Sequence, residues 1–139
     1  MPIQQSDVLY TAVATAENGR DGRVATDDGK LDVVVNPPEE MGGSGAGTNP
    51  EQLFAAGYSA CFQGALAVVA RQEGADVSGS TVTAKVGIGK NDEGFGIIVE
   101  ISAEIPGVSA EAARDLVEKA HQVCPYSKAT RGNISVTLA

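Results

Sequence analysis

The chain has 139 residues, and its 18 acidic and 10 basic residues give a formal net charge of −8 at pH 7. This length is near the commonest size of one domain, and a hydrophobic content of 42% excludes wholesale disorder. Because like charges repel, the acidic balance disfavours electrostatic binding to nucleic acids or anionic membranes. We therefore expect one domain over residues 1–139 that binds neither.

Two features of the sequence predict a cytoplasmic location. No uninterrupted apolar run reaches the roughly 18 residues that a membrane-spanning helix needs. Residues 1–7 are mostly polar and lack the basic and apolar regions of a signal peptide. In a reducing cytoplasm, a cysteine pair is seldom a purely structural disulfide.

Turn-forming residues divide the first third of the chain into short strands. Asn-Gly and Asp-Gly pairs at 18–22 and the Asp-Asp-Gly sequence at 27–29 are turn signals. Between and before them, Val-, Tyr- and Thr-containing segments predict strands over residues 8–15, 23–26 and 31–35. A glycine-rich loop follows at 42–47.

A long helix is predicted from Pro50 to about Gln72. Asn49 is a favourable N-cap, Pro50 suits the first helical position, and the Glu51 carboxylate complements the positive end of the helix dipole. The segment is apolar on nearly all faces, which is typical of a central, buried helix. Cys61 lies at its middle.

The second half of the chain predicts two strands, a helix and a last strand. Apolar residues alternate over 81–88 and 95–105, which indicates half-buried strands. Ser109 is a cap for a second helix that reaches Cys124, where Pro125 prevents its continuation. A final strand is predicted over 133–138. This order predicts an α+β fold in which two helices pack on antiparallel sheets.

Cys61 and Cys124 are the two cysteines of the chain, and they are too few for a zinc site without a histidine cluster. Such a pair is catalytic, redox-sensing or simply buried. A thiol buried in apolar surroundings has a raised pKa and is inert, so a nucleophilic cysteine here needs a positively charged partner.

Few residues are candidates for that partner. Arg20 lies in the turn cluster at 18–22, and either a solvated or a functional role fits it. His121 lies three residues before Cys124, and the simplest interpretation is a cation at the negative end of the helix. Glu51 and Cys61 are separated by roughly 15 Å along one continuous helix. If both serve one site, a bend or a second subunit must bring them together.

Several segments of the sequence closely resemble the organic hydroperoxide resistance (Ohr) family of the OsmC/Ohr superfamily. The resemblance covers residues 8–138 and is carried by residues 10–12, 19–22, 47–62, 123–127 and 129–134. The long run through Cys61 is highly specific, and the Val-Cys-Pro-Tyr-Ser sequence at 123–127 separates the Ohr branch from the others.

The resemblance implies an intertwined homodimer with two sites at the subunit interface. It implies a peroxidatic Cys61 and a resolving Cys124, with Arg20 and Glu51 completing the site. It further implies that organic hydroperoxides, including those of fatty acids, are the substrates. The reductant would be dihydrolipoamide or a lipoylated protein, and neither a metal nor another cofactor is expected.

Other functions use the same residues. A redox sensor could use the cysteine pair without turnover, and an OsmC-branch peroxidase would differ in reductant and substrate. A structural protein with two buried thiols would react sluggishly with thiol reagents. Lys128 departs from the family, in which asparagine is common at that position.

Overall fold

The computed structural model describes residues 2–139, which divide into two compact units. The first unit ends at Pro50 and the second comprises Glu51–Ala139. In chain order the strands and helices are β1 (Ala14–Glu17), β2 (Gly22–Thr26), β3 (Asp32–Val35), α1 (Pro50–Glu73), β4 (Thr81–Asn91), β5 (Gly94–Glu104), α2 (Ala110–Val123), α3 (Pro125–Thr130) and β6 (Val136–Leu138). This content confirms the predicted α+β class, whereas the single domain over 1–139 stays a prediction.

The first unit contains an antiparallel sheet in the order β1-β2-β3. The predicted strand over 8–15 is wrong for most of its length, because β1 begins only at Ala14. Its partner β2 ends at Thr26, which pairs with Ala14, so the residues before Ala14 have no partner strand. Asn18 and Gly19 both have positive φ values, as the tight turn between β1 and β2 requires.

The second unit is built on α1, whose limits agree with the predicted helix to within one residue. One side of α1 is buried, including Tyr58, Phe62 and Leu66, and it forms a core with residues of β5 and α2. The opposite side, which includes Ala56 and Ala60, is exposed in the single chain. The prediction of burial on most faces is therefore wrong for one chain alone, because only one side of α1 meets a core.

By length and composition alone, α1 could also cross a membrane. Its buried side belongs to the core of the second unit, and the Gln63 side chain donates a hydrogen bond of 2.9 Å to the carbonyl of Ser80. Packing of this kind is what a core helix shows in a globular unit.

The sheet of the second unit has the order β4-β5-β6. Strands β4 and β5 form an antiparallel hairpin of 11 residues each, and the Asn91 side chain accepts a hydrogen bond from the Glu93 N–H in its turn. Strand β6 pairs with β5 in parallel, so the prediction of purely antiparallel sheets is wrong. The helical crossover through α2 and α3 returns the chain to the same end of the sheet, which makes parallel pairing possible.

Helix α2 begins at the predicted cap, since the Ser109 hydroxyl accepts a hydrogen bond of 3.1 Å from the Ala112 N–H. It ends at Val123, before Pro125. A third helix, α3, begins directly after it, and the sequence pattern did not predict this helix. Pro125 occupies its first turn and Cys124 is its N-cap, so the same proline that ends α2 starts α3. The carbonyl of Thr130 accepts from the N–H groups of Asn133 and Ile134, and β6 begins only afterwards.

Candidate functional site

The two cysteines lie side by side in the second unit. The Cys61 Sγ and Cys124 Sγ atoms are 3.6 Å apart, and both thiols are free. Cys61 lies in the middle of α1 and is half-buried, whereas Cys124 is fully buried. A disulfide needs an S–S separation of about 2.05 Å, so a small movement would join the two sulfur atoms.

Cys124 is held at the junction of two helices. Its main-chain N–H donates to the Ala120 carbonyl at 2.8 Å and so closes the last turn of α2. Its Sγ accepts a hydrogen bond of 3.5 Å from the N–H of Ser127 in the first turn of α3. Both ends of the residue are therefore fixed by local main-chain contacts.

The surroundings of Cys61 disfavour its thiolate. Burial raises the pKa of the Cys61 thiol, because the charged form loses hydration. A hydrogen bond from the main-chain N–H of Tyr126 acts in the opposite direction and lowers this pKa, and the neighbouring Cys124 raises it again. A reactive Cys61 therefore needs a further positive charge.

A hydrogen-bonded group of side chains lies beside Cys124, and we call it the Ser127 network: Tyr58, His121, Ser127 and Thr130. The Ser127 Oγ lies 2.8 Å from the Tyr58 hydroxyl and 2.7 Å from His121 Nδ1. The Tyr58 hydroxyl is also 3.0 Å from Thr130 Oγ1. Tyr58, Ser127 and Thr130 are buried, and their hydroxyls are therefore satisfied inside the protein.

The surroundings of His121 disfavour the helix-end cation that the sequence predicts. His121 does lie in the last turn of α2, but burial lowers its pKa and the positive charge of Arg131 lowers it further. The Arg131 guanidinium donates a hydrogen bond of 2.8 Å to the His121 carbonyl. The spacing of His121 from Cys124 is visible in the sequence. The contact of His121 with Ser127 depends on α3, which the sequence pattern did not predict.

Three aromatic rings pack together beside the cysteines. The ring centroids of Phe54, Tyr58 and Tyr126 are 5.6 to 6.1 Å apart, in tilted and edge-on arrangements. Gly57 makes this packing possible, since a Cβ built there would lie 2.7 Å from the Tyr126 hydroxyl oxygen and 3.2 Å from its ring. The Tyr126 N–H thus donates a hydrogen bond to Cys61, and the Tyr126 ring packs in this cluster.

An open, mostly apolar cleft of about 800 Å³ adjoins the same residues. Phe54 and Tyr126 contribute to its wall, together with residues of β5, α3 and the segment that follows α3. The cleft belongs wholly to the second unit. Its size and lining suit an alkyl or aryl group.

The two other predicted site residues lie at defined positions in the chain. Arg20 is in the turn between β1 and β2 of the first unit, directly after the two residues of positive φ. Glu51 is in the first turn of α1, ten residues before Cys61. The roles of both stay predictions. Within residues 2–139, no group of three histidine, cysteine or acidic side chains could hold a metal ion.

Comparison with known proteins identifies the relatives of this chain. Residues 42–139 match the OsmC-like protein family. An organic hydroperoxide resistance protein of Xanthomonas axonopodis pv. citri is 55% identical over 133 residues, which are 94% of each chain.

Solved structures of such proteins have the same fold. An organic hydroperoxide resistance protein from Elizabethkingia anophelis superposes with a TM-score of 0.89 at 55% identity, over 95% of this chain and 96% of the other. The protein OhrB of Bacillus subtilis superposes with a TM-score of 0.86 at 44% identity, over 94% and 98% of the two chains.

We predict that Gly57→Ala destabilises the protein, because the added methyl group collides with the Tyr126 ring. Overpacking of this kind costs about 1 to 3 kcal/mol, and the net loss measured by denaturant unfolding is smaller by the roughly 1 kcal/mol that alanine gains over glycine in a helix. Gly64→Ala is the matched control, since a Cβ there meets open space in the same helix. The control should be neutral or stabilising by up to about 1 kcal/mol. Equal effects of the two substitutions would contradict the packing role of Gly57.

Proposed function

The chain belongs to the OsmC-like family, among the organic hydroperoxide resistance proteins, and we propose that it is a two-cysteine thiol peroxidase that reduces organic hydroperoxides. The observation that carries the proposal is the 3.6 Å separation of a half-buried and a fully buried thiol. A peroxide needs access to the first sulfur, and the second sulfur needs only to reach the first.

The reaction consumes one hydroperoxide for two thiols. The Cys61 thiolate attacks the outer peroxide oxygen, an S–O bond forms as the O–O bond breaks, and the leaving alkoxide takes a proton and departs as an alcohol. The Cys124 thiolate then attacks the oxidised sulfur of Cys61. An S–S bond forms as the S–O bond breaks, and hydroxide takes a proton and leaves as water. The two sulfurs have lost two electrons in total, which the peroxide oxygens have gained.

We assign the peroxidatic role to Cys61 because of its access and its neighbours. Cys124 is fully buried, whereas Cys61 is half-buried and close to the ring cluster that borders the apolar cleft. Tyr126 joins the two features, since its N–H faces Cys61 and its ring lines the cleft. This cleft has room for the alkyl chain of an organic hydroperoxide, which supports organic substrates, including fatty acid hydroperoxides, as the preferred class.

The raised pKa of Cys61 explains why the reaction needs a cation. In our proposal the guanidinium of Arg20 stabilises the thiolate and orients the peroxide oxygens, and Glu51 holds the guanidinium in place. These two roles rest on the sequence resemblance.

The disulfide must be opened again for turnover, and we propose that a lipoyl dithiol does this. One thiolate of dihydrolipoamide, free or protein-bound, attacks the protein disulfide, forms a mixed disulfide and releases one cysteine thiolate. The second lipoyl thiolate then attacks the lipoyl sulfur of that mixed disulfide and releases the other cysteine thiolate. The protein thiols are restored as the lipoyl group becomes a disulfide. Neither a metal nor a bound cofactor takes part in this cycle.

We also propose the homodimer that the resemblance implies. The middle of the exposed side of α1 carries the small residues Ala56, Ala60 and Gly64. Large apolar side chains elsewhere are exposed as well, among them Leu9, Tyr10 and Phe95. A second copy of the chain would bury such surfaces and recover the hydrophobic free energy. A cytoplasmic location is part of the proposal, since a reducing compartment regenerates dithiols.

We predict that the reduced protein consumes cumene hydroperoxide rapidly with dihydrolipoamide as reductant. Cys61→Ser should abolish this activity, because no other thiol is accessible to the substrate. Cys124→Ser should complete a first turnover and then stall, since the oxidised Cys61 has no resolving partner. Peroxide loss and free thiols, followed with time, would measure both effects.

Two other outcomes would redirect the assignment. Free thiols without any turnover by the wild type would favour a redox sensor. Equal rates with hydrogen peroxide, or regeneration by thioredoxin, would favour the reductant and substrate preferences of another OsmC branch.

We predict that Arg20→Ala raises the pKa of Cys61, because loss of an adjacent cation destabilises the thiolate. Alkylation of Cys61 by iodoacetamide would be followed against pH in a Cys124→Ser background. The alkylation rate at neutral pH should fall, since a higher pKa leaves less thiolate. Arg71→Ala, which removes an exposed arginine at the end of α1, is the matched control and should change neither value. An unchanged pKa in Arg20→Ala would remove Arg20 from the mechanism.

A further inference from the structure

The Ser127 network connects the two helices that carry the reacting sulfurs. Tyr58 precedes Cys61 by one helical turn in α1, and His121 lies in the last turn of α2, directly before the Cys124 junction. The Ser127 hydroxyl contacts both side chains, and the Ser127 N–H donates to Cys124 Sγ. One residue therefore contacts the resolving sulfur and is bonded to both neighbouring helices.

We propose that Ser127 and His121 are positioning residues for the resolving step, in which Cys124 attacks the oxidised Cys61. The inference rests on the proposed peroxidase function. It assigns to the network the task of keeping Cys124 within reach of Cys61 while the latter is a sulfenic acid. Neither residue touches the peroxide in this account, so the attack by Cys61 does not depend on them.

The network can be satisfied by hydrogen bonds that run in one direction. Neutral His121 accepts at Nδ1 from the Ser127 hydroxyl, whose oxygen in turn accepts from the Tyr58 hydroxyl. The Thr130 hydroxyl donates in turn to the Tyr58 hydroxyl at 3.0 Å, which completes the chain. Each donor then has a defined acceptor, which fixes the rotation of the Ser127 side chain and the position of its main chain.

Burial makes the loss of any member costly. The Ser127 side chain is 0% exposed, as is that of Tyr58. Removing the acceptor at His121 would leave a buried hydroxyl without its partner, and such a group tends to move until it finds one. Because Ser127 is hydrogen-bonded to Cys124 Sγ, that movement would displace the resolving sulfur.

Resolution is sensitive to such a displacement. The sulfur atoms must approach from 3.6 Å to about 2.05 Å. The Cys124 sulfur must also attack in line with the S–O bond that breaks, from the side opposite the oxygen. Small errors in the position of a reacting group can slow a reaction by orders of magnitude. The expected signature is therefore a sulfenic acid that forms normally and persists.

The test is a single turnover of the reduced, full-length protein with one equivalent of cumene hydroperoxide. The loss of peroxide reports the attack by Cys61, the loss of both thiols reports disulfide formation, and dimedone traps the remaining sulfenic acid. His121→Leu and Ser127→Ala should consume peroxide at close to the wild-type rate. Disulfide formation should be slower by about tenfold or more, and the dimedone adduct should increase in proportion.

Two further variants separate positioning from general stability. His121→Asn places an amide oxygen near the position of Nδ1, so it should recover most of the rate that His121→Leu loses. Ser109→Ala removes the cap of α2, at a cost of about 1 kcal/mol, without touching the network. It should resolve at the wild-type rate.

Each result decides the question. Equal disulfide rates in the wild type, His121→Leu and Ser127→Ala would overturn the positioning role, and so would an equally slow Ser109→Ala. If Ser127→Ala does not fold, the pair His121→Leu and His121→Asn at the half-buried site gives the decision. Failure of the wild type to consume peroxide would instead overturn the proposed function itself.

Discussion

The approach of two sulfur atoms from different helices is the constraint on which the rest of the second unit depends. Cys61 lies within α1, and Cys124 lies where α2 ends and α3 begins. Pro125 creates that junction, because it cannot continue α2 and suits the start of α3. The core formed by α1, β5 and α2 then holds the two thiols 3.6 Å apart. Packing, rather than a covalent bond, sets the distance.

The same packing creates a chemical difficulty. The packing that brings Cys61 close to Cys124 also removes water from the Cys61 sulfur. This loss of hydration raises the pKa of Cys61. The Tyr126 N–H opposes this effect without a formal charge. A peroxidatic cysteine in these surroundings needs a cation, and in our proposal Arg20 supplies it. Burial favours the uncharged form at His121 as well, where it lowers the pKa, and a neutral ring is able to accept from the Ser127 hydroxyl at Nδ1.

Local sequence signals predicted those parts of the fold that are determined locally. The limits of α1 followed from Pro50 and the apolar run, and the start of α2 followed from the Ser109 cap. The parallel pairing of β6 could not be read in this way, because strand direction depends on where the crossover returns. The late start of β1 likewise depends on the length of its partner strand.

In the candidate site, too, the sequence identified some residues, whereas the contacts of others depend on the tertiary fold. Residue type and the family resemblance identified both cysteines, and the structure brings them together. The contacts of Ser127 and His121 were missed, since they require α3 to bring residue 127 back against α1 and α2. The cue was present in the Cys-Pro sequence at 124–125, where a cap residue precedes a proline. This pair marks the start of α3 as well as the end of α2.

The most direct test of the central claim is to identify the bond that an organic hydroperoxide creates. The reduced protein would be treated with one equivalent of cumene hydroperoxide, and its peptides would be analysed without reduction by mass spectrometry. We predict one disulfide that joins the peptides containing Cys61 and Cys124, together with one equivalent of alcohol. Peroxide consumption that leaves both thiols free, or that oxidises Cys124 alone, would contradict it.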